Sequence, residues 1–340
     1  MTTIGLMTAG GDCPGLNAVI RAVVARLDGD GHTAIGVMNG WEGLMQGDVR
    51  TMTRDDVRGL VSRGGTILGT SRLDPYVHGD GLESIRPVIE QTGIERLIVI
   101  GGDGTLRTAL RLENEGLGVI GVPKTIDNDL FGTDMTLGYD TAVQIVTDAL
   151  DRLTTTAESH NRVIVVEVMG RTAGWIAVAG GIAGGAEAIL IPEIPYDLDE
   201  LAADIVRRHD AGKRYSIIVV AEGTPAPTGG VVEAGSDAFG FDRIGGIGEV
   251  IGAELEQRTG FETRTVVLGH LQRGGIPTAF DRLLGTRFGV KAAELAIEGT
   301  SGVMVALQRD QIVSVPLADA CGEPRSVDPV RHADSKWFTV

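Results

Sequence analysis

Six short apolar runs punctuate the chain, each ending in glycine or polar residues: TIGLMTAGGD (3–12), RLIVIGGDGT (96–105), GVIGVPKTIDND (118–129), RVIVVEVMGR (162–171), SIIVVAEGT (216–224) and RTVVLGHLQRGG (264–275). Continuous rather than alternating Val, Ile and Leu is the pattern of strands covered on both faces. Between these runs the apolar period becomes helical. Leu16, Val19, Ile20, Val23, Val24 and Leu27 recur at helical spacing, with Gly29 and Gly31 as stops. YDTAVQIVTDALDRL (139–153) repeats the pattern through Val143, Val146, Leu150 and Leu153, with Asp140 or Thr141 as its cap. Strands alternating with helices predict a largely parallel α/β architecture. In such sheets ligands bind beyond the carboxyl ends of the strands, which is where each of these polar clusters falls. The stretch 224–246, rich in Gly, Pro and Ala, reads as a surface excursion, either an inert loop or a lid. RHADSKWFTV (331–340) reads as a tail.

Length and charge narrow the function. A chain of 340 residues has room for two domains. A formal net charge of −16 disfavours nucleic acid and anionic membranes as partners, and 4% aromatic residues leave little for base stacking. An anionic small molecule would need a local gathering of Arg and Lys against that background. Cys13 and Cys321 have no metal-ligand spacing and fit reduced thiols. Without a basic leader or an 18-residue apolar span, the expectation is a soluble, cytoplasmic protein.

The strand ends carry the candidate chemistry. GGDGTL (101–106) joins a strand to a helix, so glycine backbone and helix N–H groups suit a phosphate, and Asp103 suits Mg²⁺ riding on it. The same residues also suit an ordinary tight turn with a capping Asp. AGGDCPGLN (9–17) offers a second such loop. In KTIDND (124–129) phosphoryl transfer finds what it needs beyond a cradle. Asp127 suits the base, Thr125 a hydrogen bond to the acceptor, Asp129 support of the metal, and Lys124 neutralisation of the transferring group. An Asx-rich turn bonded to its own backbone explains the segment equally well. Arg72, Arg162, Arg171, Arg264 and Arg273 stand near strand ends or starts and meet the anion requirement. His270 and Glu222 fit sugar ligands, or a turn carbonyl's partner and a helix cap.

Together these motifs resemble the 6-phosphofructokinase family: GGDCPGLN, GGDGT, PKTIDND, ESHNR, VMGRTAGW, AEG and LGHLQRGG occur in family order over about residues 3–320. The resemblance implies two Rossmann-like lobes with a cleft between them, commonly assembled as homotetramers, and transfer of a phosphoryl group to the 1-hydroxyl of fructose 6-phosphate. It implies a donor lobe of 1–140 plus 268–304, a sugar-phosphate lobe of 141–267 plus 305–320, and a tail of 321–340. Gly11, Arg72, Gly102, Asp103, Gly104 and Thr105 would hold the donor, with Asp103 on Mg²⁺. Asp127 would be the base, assisted by Thr125, Lys124 and Arg171. Thr125, Met169, Gly170, Arg171, Glu222, His270 and Arg273 would hold fructose 6-phosphate, and Arg162 and Arg264 would reach its 6-phosphate from a neighbouring subunit.

ATP-using members typically carry Gly after GGD and before TIDND, and pyrophosphate-using members Asp and Lys. This chain has Gly104 with Lys124, one from each pattern. An Asp at 104 would crowd and repel the α-phosphate of ATP, so Gly104 favours ATP over pyrophosphate, and Trp41 fits adenine stacking. Arg21, Arg54, Glu187 and Lys213 match the family's effector pocket, whereas Ala25, Thr154 and Ala211 replace its usual cations, so weak or altered allostery is expected. Two other functions share parts of the pattern. GGDGT is also a signature of NAD-kinase-like and lipid-kinase-like proteins, and a non-catalytic sugar-phosphate sensor would keep the fold but lose the carboxylates retained here.

Overall fold

All six apolar runs form strands that end where their polar residues begin. The computed structural model describes residues 1–236 and 242–334. Its strands are β1 (Thr3–Thr8), β2 (Thr33–Val37), β3 (Val49–Met52), β4 (Arg96–Gly101), β5 (Gly118–Pro123), β6 (Val163–Val168), β7 (Ala188–Leu190), β8 (Ser216–Ala221), β9 (Glu233–Ser236), β10 (Asp242–Ile244), β11 (Thr263–Val267), β12 (Val303–Gln308) and β13 (Gln311–Pro316). They divide between two units.

The first unit comprises 1–126, 130–141 and 273–323. Its sheet runs β13-β12-β5-β4-β1-β2-β3, parallel except for the edge strands β3 and β13. Leu97 and Val99 of β4, Val119 of β5 and Met7 of β1 are fully buried with Leu44, Ile85, Leu106 and Leu112 from flanking helices. Each such side chain contributes about 1.5–3 kcal/mol relative to exposure. The helix Leu16–Gly29 buries the predicted stripe and packs on the helix Ala279–Glu298. That packing depends on glycine: a Cβ on Gly289 would stand 2.6 Å from the Val19 carbonyl oxygen, and one on Gly285 3.1 Å from that of Gly15.

The second unit comprises 127–129, 142–272 and 324–340. Its sheet, β11-β6-β8-β7, is wholly parallel, with β6 and β8 buried along their entire length. Glu167 of β6, only 2% exposed, accepts the backbone N–H groups of Gly246 at 3.0 Å and Gly248 at 2.8 Å. A strand carboxylate thus anchors the positive end of the helix Ile247–Thr259.

Several expectations need correction. The helix expected over 139–153 runs Tyr139–His160, since buried Ala157 prolongs its apolar face and Asn161, at φ 53°, turns the chain away. Neither Asp140 nor Thr141 caps it. Asp281, from the helix Ala279–Glu298, accepts the N–H groups of Gly138 at 2.9 Å and Thr141 at 2.8 Å, and the Thr141 hydroxyl at 2.5 Å. Residues 305–320, expected in the sugar-phosphate lobe, lie in the first unit because β12 pairs with β5; 268–272 lie in the second. Residues 321–340 are not a simple tail: 321–323 cluster with the first unit, 324–340 with the second, and Pro329–Ala333 is helical. The excursion at 224–246 contains the antiparallel pair β9–β10. Positions 237–241 and 335–340 of the two expected segments lie outside the described residues.

Candidate active site

In the first unit the carboxyl ends of β1, β4 and β5 bring two glycine loops together. Beyond β1, the Ala9 N–H donates to the Ile100 carbonyl at 3.1 Å and the Gly10 N–H to that of Ser71 at 3.0 Å. The Thr70 hydroxyl donates to the Gly10 carbonyl at 2.6 Å, tying the loop to the segment that bears exposed Arg72. Lys124 is 3% exposed; its ammonium donates to the carbonyls of Ala9, at 3.0 Å, and Gly11. It is therefore a buried tie within the loop rather than a flexible cation. The Arg273 guanidinium also lies on this loop, donating to the Asp12 carbonyl at 3.2 Å. A Cβ on Gly11 would stand 2.8 Å from it.

Beyond β4, Gly102 opens the helix Asp103–Asn114 without a side-chain cap. The first-turn N–H groups of such a helix have no partner within it and attract anions. A Cβ on Gly104 would meet nothing within 4 Å. The Asp103 carboxylate accepts from Arg107 Nε at 2.8 and 2.9 Å, and Arg107 Nη2 donates to the Gly322 carbonyl at 2.9 Å. Both side chains are nearly half exposed. Among the described residues no cluster of three His, Cys, Asp or Glu side chains would hold a metal alone. One accessible carboxylate beside a phosphate cradle suits Mg²⁺ bound chiefly by substrate phosphates.

In the second unit a different set converges where β6, β8 and β11 end. The Glu222 N–H donates to the Val168 carbonyl at 2.9 Å and the Gly223 N–H to that of Gly170 at 3.1 Å. A Cβ on Gly223 would lie 2.0 Å from the Arg171 carbonyl oxygen, so glycine is required for this approach. Met169 donates its N–H to Gln272 Oε1 at 3.2 Å, and Gln272 Nε2 donates to the Gly269 carbonyl at 3.1 Å. Fully buried Gln272 thereby joins the Met169–Gly170–Arg171 loop to the turn Gly269–Arg273, which carries exposed His270. Sequence reasoning quoted Gln272 within LQRGG but assigned it no task.

The TIDND segment is a turn, with buried Asn128 in the left-handed region at φ 53°. Thr125 ends on the first unit, where its carbonyl accepts from the Thr136 hydroxyl at 2.6 Å. Asp127, Asn128 and Asp129 belong to the second. The Asp129 carbonyl accepts the Arg325 N–H at 2.7 Å.

Arg162 and Arg264 stand at the opposite end of the second sheet, before β6 and early in β11. One strand length, roughly 17 Å, separates them from the Arg171 loop. Both pair with Glu262, Arg162 at 2.8 Å. The Arg162 hydrogen bond, aided by the two positive charges, holds the Glu262 carboxyl below its ordinary value.

Trp41 departs from expectation: it is 2% exposed, inside the first unit's core, and cannot stack on adenine from there. Of the effector-pocket residues, Arg54 pairs with Asp28 at 2.6 Å and Glu187 with Arg208 at 2.7 Å. Burial raises the Glu187 carboxyl, and hydrogen bonding from Ile217 opposes that shift. Both cysteines are free and buried, and burial pushes their thiols up, Cys13 to about 12 and Cys321 to about 11.

With this geometry in view, the phosphofructokinase family model matches residues 3–296. The chain belongs to the phosphofructokinase family. It is 52% identical over 340 residues to pyrophosphate–fructose 6-phosphate 1-phosphotransferase of Amycolatopsis methanolica, covering 98% of this chain and 99% of that one. It is 51% identical over 336 residues to ATP-dependent 6-phosphofructokinase 3 of Streptomyces coelicolor, covering 98% of each. Phosphofructokinase from Pichia pastoris in the T-state superposes with a TM-score of 0.83 at 34% identity, over 94% of this chain; the chain spans 35% of that longer one. Near-equal likeness to relatives named for either donor leaves the donor to local geometry. The α/β fold with mostly parallel sheets is the family's. Among the described residues no helix is long and apolar enough to cross a membrane.

Proposed function

We propose that this phosphofructokinase-family chain transfers the γ-phosphoryl group of ATP to the 1-hydroxyl of fructose 6-phosphate, giving fructose 1,6-bisphosphate and ADP. Asp127 takes the proton from the 1-hydroxyl as that oxygen attacks phosphorus and the bond to the ADP oxygen breaks. Thr125 hydrogen-bonds the acceptor, and Arg171 steadies charge on the transferred group. Gly11, Arg72, Gly102, Gly104 and Thr105 hold the donor. Met169, Gly170, Glu222, His270 and Arg273 hold the sugar phosphate. Asp103, with Asp129 in support, would hold Mg²⁺ on the donor phosphates, where the ion neutralises charge. Lys124 acts from beneath, its ammonium ordering the first glycine loop.

The observation that carries the choice of ATP is the open space at Gly104, where an added Cβ touches nothing within 4 Å. An α-phosphate fits there and an aspartate would repel it. Because the position is open, Gly104→Asp folds normally and isolates that repulsion. Purified protein is assayed with fructose 6-phosphate and Mg²⁺, supplied with ATP or pyrophosphate. ATP is the better donor, and the substitution depresses ATP use at least tenfold more than pyrophosphate use. Better turnover with pyrophosphate in the unaltered protein refutes ATP and selects the other donor.

A homotetramer follows from the same reading. Arg162 and Arg264, about a strand length from the Arg171 loop of their own chain, serve the 6-phosphate bound by a neighbouring copy in the cytoplasm. Sedimentation of a monomer that is fully active refutes it.

A further inference from the structure

Resting on the proposed function, the inference concerns what holds the base in place. The three residues Asp127–Asp129 cluster with the second unit while their neighbours Ile126 and Leu130 belong to the first. The turn lacks strand or helix structure, and Asn128 adopts the left-handed region. Such a short excursion takes its position from whatever anchors it.

The anchor on its downstream leg is the C-terminal segment. The Arg325 N–H donates to the Asp129 carbonyl at 2.7 Å, two residues beyond the base. The Arg325 carbonyl in turn accepts the indole N–H of Trp175 at 2.8 Å, and its guanidinium lies 4.3 Å from the Trp175 ring centroid. Trp175 opens the helix that follows the Met169–Gly170–Arg171 loop. Glu193 reinforces the join, accepting the N–H groups of Gly174 at 3.0 Å and Val327 at 3.0 Å. Farther along, buried His332 pairs with the Ile189 carbonyl at 2.8 Å, a contact that touches neither the turn nor the loop.

We propose that residues 325–327 hold the Asp127 turn in register with the Arg171 loop, with Arg325 as the positioning residue. One residue binds the turn through its N–H and the start of the loop's helix through its carbonyl and side chain. Loosening it displaces the base relative to the group that steadies the phosphoryl, and small displacements of this kind cost large factors in turnover.

The test uses the full chain with ATP and fructose 6-phosphate, reading kcat, sugar-phosphate affinity by calorimetry, and thermal midpoint. Arg325→Pro, which removes the N–H that holds the Asp129 carbonyl, lowers kcat about tenfold with fructose 6-phosphate affinity held within about twofold, and Arg325→Lys, which keeps both backbone groups and a cation over Trp175, retains most of the activity. His332→Ala removes a buried bond farther along the chain, lowering the midpoint while leaving kcat unchanged. The inference is overturned if Arg325→Pro keeps normal kcat, or if His332→Ala loses kcat in parallel with it, since the contact then contributes stability alone. Should Arg325→Pro fail to fold, Trp175→Phe, which deletes only the indole donor to the Arg325 carbonyl, stands in its place with the same expected outcome. An unaltered protein that does not turn over fructose 6-phosphate overturns the functional reading first, and the inference with it.

Discussion

Asp281 offers a test of the packing because its carboxylate is buried and its hydrogen-bond donors are Gly138 and Thr141. Burial pushes the carboxyl from 3.8 up to about 6, against the lowering effect of hydrogen bonds from the Thr141 hydroxyl and the Gly138 and Thr141 N–H groups; nearby Asp140 raises it further. An acid whose pKa is higher folded than unfolded binds more protons in the folded state. Ionisation therefore destabilises the fold above about pH 6, and the penalty is relieved as pH falls toward 3.8. The full penalty for a shift of this size is about 3 kcal/mol. Between about pH 7.5 and about pH 5 the relieved part is about 1.4 kcal/mol, roughly 3–6 °C in melting temperature for a unit of this size. Asp281→Asn preserves the shape and cannot ionise. Melting both proteins across that pH range cancels the titration of every other carboxylate. The prediction is that the unaltered protein gains those degrees on the variant as pH falls. Parallel curves, or a gain for the variant, refute the reasoning.

Two further outcomes are expected. Glu167→Gln leaves one of the Gly246 and Gly248 N–H groups facing an amide, and lowers unfolding free energy by about 2 kcal/mol in urea titration; an unchanged midpoint denies Glu167 its anchoring role. ADP or phosphoenolpyruvate changes apparent fructose 6-phosphate affinity less than about twofold, because Arg54 and Glu187 are held by Asp28 and Arg208 and three usual cations are missing. A large ADP activation or phosphoenolpyruvate inhibition shows that those ion pairs open.

Six strands were legible because covered strands need continuous apolar runs, whereas β2 and β12, also buried and paired in parallel, were not marked. Nor were the edge strands β3, β7 and β13. β3 and β13 each lean on one neighbour; Val49–Met52 mixes exposed with buried positions, and Gln311–Pro316 combines exposed with half-buried ones and buries none. β7, with three residues, is too short to declare itself. In the candidate site, motif residues were visible, but their supports were not. Gln272 and Arg325 act through backbone partners distant in sequence, a relation that residue type alone does not reveal. Trp41 and Lys124 mislead for the same reason. An aromatic and a cation near a glycine loop suggest ligand contact, yet the fold spends one on the core and the other on carbonyls of the loop itself.

The central claim is that Asp127 is the base for phosphoryl transfer, and the most direct measurement is kcat of Asp127→Ser alongside calorimetric binding of fructose 6-phosphate. Turnover falls by about 10²–10⁴-fold while the sugar phosphate still binds. Turnover within tenfold of the unaltered protein, with binding intact, contradicts it.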